Sequence, residues 1–587
     1  MEKWFVAAKK ADFNKWAQSF QISPVLARIL RNRDLTEEAD IERFLHGTLE
    51  DCYEPGLMKD MDKAVELILQ AIAEKKAIRV IGDYDVDGIC SAYILTKGLQ
   101  LLGGNADTAI PHRIHDGYGL NDHLIELAKE DGIELIITCD NGIAASFQIA
   151  LASSMGIGVI VTDHHEVPFT EEGGMRREIL PQALAVVDPK QELCTYPFKS
   201  ICGGVVAYKL MQALAGRTKN VGLQNSMDEL LEFAALATVC DVMELRDENR
   251  IIVKEGLKRL KNTGNVGLRA LMEVNSIEPA KLSAYHLGFV IGPCLNATGR
   301  LDTARRALEL LQSITKVDAM SAARELKDLN DRRKNLTLQG VQAAEEYIRL
   351  HNLEQDDVMI VYLPDVHESL AGIIAGRVRE KYNHPVFVLT KSEEGVKGSG
   401  RSIEGYHMYE AMTRVKHYFT KYGGHKLAAG LSMEEKDVEA LRQSLNADSG
   451  LTEDDFIPSV HIDVPMPLSY ANEQLAEELT LLEPFGVGNP KPLFAQKDLC
   501  FLSGFKMGAN KNFARYRVRT PEGDIQQLVF FGDLEKFGSF LREKYGKGSE
   551  EALYNGKGEF KVSVVYQLST NTYRGKTELQ FVMQNYC

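Results

Sequence analysis

From about Ala77 onward, short unbroken apolar runs alternate with turns and stretches of helical periodicity. The runs are Ile78–Ile81, Leu135–Ile137, Val159–Val161 and Leu184–Val187, with helical segments such as Ser91–Leu102 and Asp122–Lys129 between them. Apolar runs that lack polar alternation suit strands of a parallel sheet covered on both faces. The pattern predicts a doubly wound α/β domain, in which ligands gather at the carboxyl ends of the strands.

The rest of the chain divides by the same signals. Ala304–Leu350 is charged and helical, and its stretch ARELKDLNDRRKNL lacks Gly and Pro, so a helical connector is expected. Val358–Leu363 and Pro385–Leu389 flank a helical run from Ser369 to Lys381 and predict a second, smaller α/β domain. Beyond Pro458, short strand signals with turns (RYRVRTPEGD, LVFFGD, FKVSVVYQL, ELQFVM) predict a small OB-like β-barrel or sandwich, with helix only at Asn472–Thr480 and Asp533–Glu543. The expected division is 1–54, 55–265, 266–350, 351–450 and 458–587, with the first segment forming a small cap on the first domain.

Composition narrows the partners. The 587 residues carry 83 Asp+Glu against 68 Lys+Arg, a formal net charge of -15, so any nucleic-acid contact is expected to be local. Met1–Lys10 holds lysines but no apolar h-region, and Ile143–Thr162 contains Gln148, Ser153 and Ser154, so neither a signal peptide nor a membrane span is expected. Nine scattered cysteines without a C-x-x-C pair argue against a zinc knuckle and a disulfide framework, and fit a reducing cytoplasm.

The chemistry sits at the ends of the apolar runs. IGDYDVDG carries Asp83, Asp85 and Asp87, ITCDNG carries Asp140, VTDHH carries Asp163, His164 and His165, and LATVCDV, read as a further strand, carries Asp241. Crowded carboxylates repel unless a cation lies between them, and oxygen ligands with imidazole and no thiolate suit Mn²⁺ or Mg²⁺. With this many candidates two ions are expected, the arrangement used for in-line attack on phosphoryl groups. An EF-hand is excluded because its twelfth position, counted from Asp83, is Ile94. Any single one of these aspartates could instead cap the following helix.

Other motifs are open to two readings. GVKGSGRS (395–402) nearly matches a P-loop, but Arg401 replaces the lysine, so a Gly-rich strand or turn gripping a phosphate is the more modest reading. His425 in YGGHKLAAG is structural or functional with equal weight, and Arg300 in NATGR and Arg113 in PHRIHDGYGL could bind phosphate or serve structure. Phe513, Arg515, Tyr516, Arg517, Arg519, Phe530, Phe531, Tyr573 and Arg574 could stack bases and track a backbone, or fill a β-core. FGVGN (485–489), flanked by prolines, marks the entry to this tail module.

DYDVDG, DNG, TDHH and the Asp241 motif resemble the DHH phosphoesterases in order and spacing, and NATGR, KGSGRS, GGHKLAAG and EPFGVGNPKPLF resemble the RecJ single-strand-specific exonucleases. The resemblance covers the chain from about Ala77 to its end. It implies a 5′-to-3′ exonuclease that degrades single-stranded DNA to mononucleotides with Mn²⁺ or Mg²⁺ in recombination and repair, acting as a cytoplasmic monomer. A RecQ-type helicase and a single-strand-binding protein are the partners it suggests. It implies metal ligands at Asp83, Asp85, Asp87, Asp140, His164 and Asp241, with Asp140 bridging two ions and His165 beside the scissile phosphate. It further implies a 5′-phosphate pocket from Arg113, Asn296, Arg300, Ser399, Arg401, Gly424 and His425, and an OB-fold that guides the strand. Ile81 stands where relatives often carry His, and Asp83 is the candidate to compensate.

Two other readings remain. One is a phosphodiesterase for short oligonucleotides or cyclic dinucleotides, which the tail barrel argues against. The other is a non-catalytic single-strand-binding scaffold, for which degenerate ligands would be expected.

Overall fold

A computed structural model describes residues 2–113, 116–117, 119–172, 175–392, 395–573 and 576–587. Arg574 lies outside the described residues, as does the side chain of Tyr573. The chain forms two compact units, one of residues 52–243 and 248–458, the other of residues 1–51, 244–247 and 459–587.

In the first unit, five parallel strands lie in the order Asn105–Ala109, Ala77–Ile81, Leu135–Cys139, Gly158–Thr162 and Ala185–Val187. Helices Val86–Leu101, Gly203–Thr218 and Val221–Cys240 pack together on one side of it. On the other, Asp122–Glu130 and Ser146–Ser154 supply Leu124, Ile125, Ile149 and Ala152 to a core with Ile136, Val159 and Val161. Strand register sets the site: Ile81 pairs with Thr138, Cys139 with Thr162, and Thr162 with Val187. Asp140, Asp163 and Asp188, each one residue past a strand, therefore share one edge of the sheet, and Asp83 follows two residues past its own.

LATVCDV is not a strand. It is the last turn of the 20-residue helix Val221–Cys240, and Asp241 is its C-terminal cap. The β-branched Thr238 and Val239 suggested extended structure, but the segment Leu230–Thr238 is buried on every side, and tertiary packing overrides propensity.

The 35-residue helix Lys316–Leu350 leads to a second sheet, ordered Phe419–Gly424, Ala428–Met433, Gly395–Arg401, Val386–Ser392 and Met359–Tyr362. Only the last two strands run parallel. The Gly-rich stretch is thus a strand: Lys397, Ser399 and Arg401 share its half-exposed face, and the alternate positions are buried. On the buried face a side chain at Gly398 or Gly400 would overlap Leu389 or Met408, which explains the glycines.

The other unit is a closed five-stranded barrel, because Phe494–Met507 pairs with both Phe513–Arg519 and Phe560–Tyr573 while Ile525–Phe530 and Lys576–Tyr586 complete the circuit. The N-terminal segment, expected to cap the first domain, enters this unit's core. Trp16, Leu26, Ile29, Leu30 and Phe44 pack in one cluster with Phe494, Phe501 and Tyr516, and Lys3–Val6 pairs in parallel with Ser459–Ile462. The physical reason is the apolar face that Leu26, Ile29 and Leu30 make at i, i+3, i+4.

Candidate metal centre and phosphate pocket

Carboxylates and two imidazoles gather at the carboxyl edge of the parallel sheet. Asp83 accepts the Gly119 N–H at 3.2 Å through one oxygen, while its other oxygen is buried without a partner among the described residues. Asp85 caps the helix Val86–Leu101 by accepting Gly88 N–H at 3.1 Å through one oxygen, and its charge reaches Asp140 and Asp241. Asp87, further along the same helix, accepts the backbone N–H groups of Gly203 and Gly204, each at 2.7 Å, at the start of the helix Gly203–Thr218. Gly203 is required here, since a Cβ on it would sit 2.8 Å from the Cβ of Asp140.

Asp140 holds a left-handed backbone, φ +60°, which an aspartate tolerates better than most residues. Its neighbour Asn141 donates to the Ile81 and Cys139 carbonyls and accepts Leu120 N–H, tying strand ends together. His164 Nε2 lies 3.0 Å from Asp140 Oδ1, 3.5 Å from Asp87 and 3.7 Å from Asp241. Its Nδ1 is buried without a partner among the described residues. His165 bonds Asp163 Oδ1 through Nδ1 at 2.8 Å, and Asp163 also accepts N–H groups from Ile143, His164 and His165.

Electrostatics follow the geometry. Burial, reinforced by neighbouring carboxylates, raises the pKa of Asp83 and Asp241 to about 8 and raises Asp85 and Asp140 as well. Burial also keeps His164 neutral, the form a metal ligand needs. Burial would raise Asp163 too, but the hydrogen bond and charge of His165 outweigh it and hold the carboxylate below its ordinary range. The same pairing overcomes burial at His165 and lifts it to about 9.

Two sets of potential ligand atoms lie within 4.8 Å of one another, Asp140/His164/His165 and Asp87/His164/Asp241. The donor set is oxygen and imidazole, strongly anionic, with a buried carboxylate oxygen unpartnered nearby, and it fits a hard divalent cation such as Mn²⁺ or Mg²⁺. Of the residues expected from sequence, Asp87, Asp140, His164 and Asp241 come together, with His165 added, while Asp83 and Asp85 stand outside both sets. Asp188 was missed. It is fully buried and raised to about 8 by burial and by Asp163, and its signal was another acid at the end of an apolar run.

Next to the carboxylates is a cavity of about 460 Å³, lined among others by Tyr84, Arg113, Ser369, Lys397, Ser399 and Lys421. The Arg113 guanidinium lies 4.6 Å from the centre of the Tyr84 ring. Arg300, on the helix Gly292–Leu301, donates to the Ser369 carbonyl at 2.7 Å, and Ser369 Oγ donates back to the Arg300 carbonyl at 3.1 Å. Burial, then the charges of Arg113, Arg333 and Arg401, push Arg300 down to about 10. Such crowding of cations calls for an anion.

Of the residues expected to form the pocket, Arg113 and Ser399 line this cavity, whereas Asn296, Arg300, Arg401, Gly424 and His425 do not. Asn296 lies one helical turn before Arg300. Gly424 ends a strand at φ +148°, and His425 is exposed in the following hairpin turn, its N–H donating to Ala428. Tyr84, Lys397 and Lys421 escaped the sequence reading, although the first two lie inside motifs it singled out.

In the barrel the aromatic and basic residues separate by strand periodicity. Arg515, Arg517 and Arg519 point outward, whereas Tyr516 and Phe530 are core. Phe505, exposed, stands opposite Arg515, and the exposed Phe531 packs against Phe513 with ring centres 5.2 Å apart.

The chain matches three families in succession: the DHH family, N-terminal domain, over residues 77–238, the DHHA1 domain over 355–448, and the RecJ OB domain over 462–585. It is 34% identical to the single-stranded-DNA-specific exonuclease RecJ of Bacillus subtilis, over 97% of this chain and 68% of that protein. It is 32% identical to the exonuclease of the same name from Escherichia coli, over 96% of each. The crystal structure of RecJ from Thermus thermophilus in complex with Mn²⁺ superposes with a TM-score of 0.81 at 27% identity, covering 100% of this chain and 79% of that one. Fold, order of domains and near-full-length identity agree, and this chain belongs to the RecJ family of single-stranded-DNA-specific exonucleases.

Proposed function

We propose that this chain removes nucleotides from the 5′ end of single-stranded DNA by hydrolysing the terminal phosphodiester. The observation that carries the reading is the position of Tyr84. It lies between Asp83 and Asp85 in the chain and lines the arginine-flanked cavity with Arg113, so a terminal phosphate held there is next to the carboxylate cluster.

Asp87, Asp140, His164 and Asp241 would hold one or two Mn²⁺ or Mg²⁺ ions, with His165 beside the scissile phosphate. When bound, such ions neutralise charge on the phosphoryl oxygens and favour attack by water. Arg113 and Ser399 bind and orient the terminal phosphate, with Arg300 and Arg401 supplying buried positive charge behind it. Asp163 fixes the His165 ring and keeps it protonated, so that a cationic N–H faces the developing charge. The outward arginines of the barrel would track the backbone of the trailing strand. A RecQ-type helicase and a single-strand-binding protein, as suppliers of substrate in the cytoplasm, belong to the same proposal. Among the described residues no helix is long and apolar enough to cross a membrane.

The test is cleavage of a long 5′-phosphorylated single strand by wild type and Asp140→Ala with Mn²⁺. Wild type should release mononucleotides and the variant should bind without cutting. Arg300→Ala should lose the preference for a 5′-phosphate over a 5′-hydroxyl. Preferential hydrolysis of dinucleotides, or binding with no hydrolysis by the wild type, would overturn the proposal in favour of the other two readings.

A further inference from the structure

The FGVGN turn holds a four-residue strap that follows the metal-centre aspartate. Residues 244–247 leave the α/β unit immediately after Met243 and fall with the barrel unit, and the chain is back in the α/β unit at Glu248. Within the barrel unit, Leu245 N–H donates to the Val487 carbonyl at 2.7 Å and Arg246 Nε donates to the Gly488 carbonyl at 3.3 Å. Asp247 pairs with Arg43 at 3.1 Å. The Leu245 side chain is 2% exposed and lies against Gly486, where a Cβ would come within 2.7 Å of it.

The turn itself is rigidly built. Asn489, fully buried, donates to the carbonyls of Leu482 and Pro484, and its own oxygen accepts from Arg33. Arg33 continues to Asp463 at 2.8 Å and to the Pro490 carbonyl at 2.6 Å, and this arginine and Asp463 are both nearly fully buried. Breaking such a buried pair would leave an uncompensated charge in the interior.

Both ends of the strap are fixed as well. On the upstream side Val242 has φ +59°, a strained state for a β-branched residue, and Met243 N–H returns to the Thr238 carbonyl at 3.1 Å. Downstream, the fully buried Glu248 pairs with Lys209 at 3.0 Å and accepts the Tyr196 hydroxyl. The Asp87 carboxylate is seated on two backbone N–H groups, whereas the close partner of Asp241 among the described residues is the His164 ring nitrogen, at 3.7 Å. Where the Asp241 carboxylate stands therefore depends on how the chain leaves its helix.

We infer that Gly486, Val487 and Gly488 are positioning residues for the metal centre, acting through the strap on Asp241. The inference rests on the reading of Asp241 as a metal ligand. It gives the FGVGN motif a role that a simple domain entry does not explain.

The experiment measures Mn²⁺ binding to the full-length metal-free protein by the loss of the free-ion paramagnetic resonance signal, beside cleavage at saturating Mn²⁺. Two variants loosen the strap differently: Leu245→Ala removes its buried side chain, and insertion of two glycines after Met243 lengthens its tether without replacing any contact residue. Both should weaken Mn²⁺ binding about tenfold, the scale of outer-shell effects on metal sites, with cleavage restored by excess Mn²⁺. Phe501→Leu in the barrel core should lower the melting temperature without changing Mn²⁺ affinity. Unchanged Mn²⁺ binding in the insertion variant overturns the inference, as does equal weakening in Phe501→Leu. A wild-type protein that binds no Mn²⁺ overturns the metal reading itself, and this inference with it.

Discussion

His165 Nδ1 lies 2.8 Å from Asp163 Oδ1, and the pair shifts both groups in opposite directions: the carboxyl falls below its ordinary range and the imidazole rises to about 9. His165 is therefore a cation at neutral pH in the metal-free protein, although burial alone would make it neutral. In Asp163→Asn the acceptor oxygen survives but the charge does not. The cleavage rate should fall about tenfold or more, and the alkaline limb of the pH–rate profile should move to lower pH, because the Asp163 charge that raises His165 is gone. A lower rate with an unmoved limb would mean that Asp163 acts on ring orientation alone.

Metal binding should be coupled to proton release. Burial and neighbouring carboxylates raise the pKa of Asp241 to about 8, and Asp140 is raised still more firmly in the same direction. Below about pH 8 an incoming cation must displace these protons. Mn²⁺ affinity should climb steeply between about pH 6 and 8, by about tenfold per unit for each proton displaced, and flatten above. Calorimetric titration in buffers of different ionisation enthalpy measures the proton count, and a count of zero at neutral pH would contradict the assigned carboxylate states.

Legibility from sequence depended on how local the signal was. Asp83, Asp140 and the TDHH run could be read because unbroken apolar strands end in them, and parallel register alone brings such ends together. Asp241 was placed on the wrong element, because Thr238 and Val239 look extended until the long helix buries them. Lys397 was passed over because GVKGSGRS was read for a phosphate grip by backbone N–H groups and Arg401, whereas its glycines let the strand pack on Phe387 and Leu389. The N-terminal segment could not be assigned to the barrel, since its partners in that core lie more than 400 residues away in the chain.

Glu232 offers a check on stability that does not touch the metal centre. Burial raises this carboxyl from 4.5 to about 7, against the opposing hydrogen bond from Thr263. A folded pKa above the unfolded one means tighter proton binding when folded, so the stability it confers is complete below 4.5 and is lost as pH rises to about 7. The loss amounts to about 3 kcal/mol. Glu232→Gln keeps an oxygen for Thr263 and removes the titration. Melting temperatures of variant and wild type should agree near pH 4.5 and diverge above about pH 7, with the variant more stable at the higher pH.

The barrel face makes a prediction about salt. Arg515, Arg517 and Arg519 alternate with buried residues along one strand, so their cations share the outer face, and Phe505 stands across from Arg515. A cation that neutralises one phosphate contributes about 0.7 to the slope of log affinity against log salt for single strands. Arg515→Ala and Arg517→Ala should each reduce that slope by about this amount, uniformly across base sequences, in binding measured with metal withheld. Phe505→Ala should behave differently, because stacking on an aromatic face involves no counterion release. It should weaken binding several-fold at every salt concentration and leave the slope intact. If both arginine variants keep the wild-type slope, the strand does not run over this face, and the alternation of Arg and buried residues is only the ordinary inside-outside pattern of a barrel.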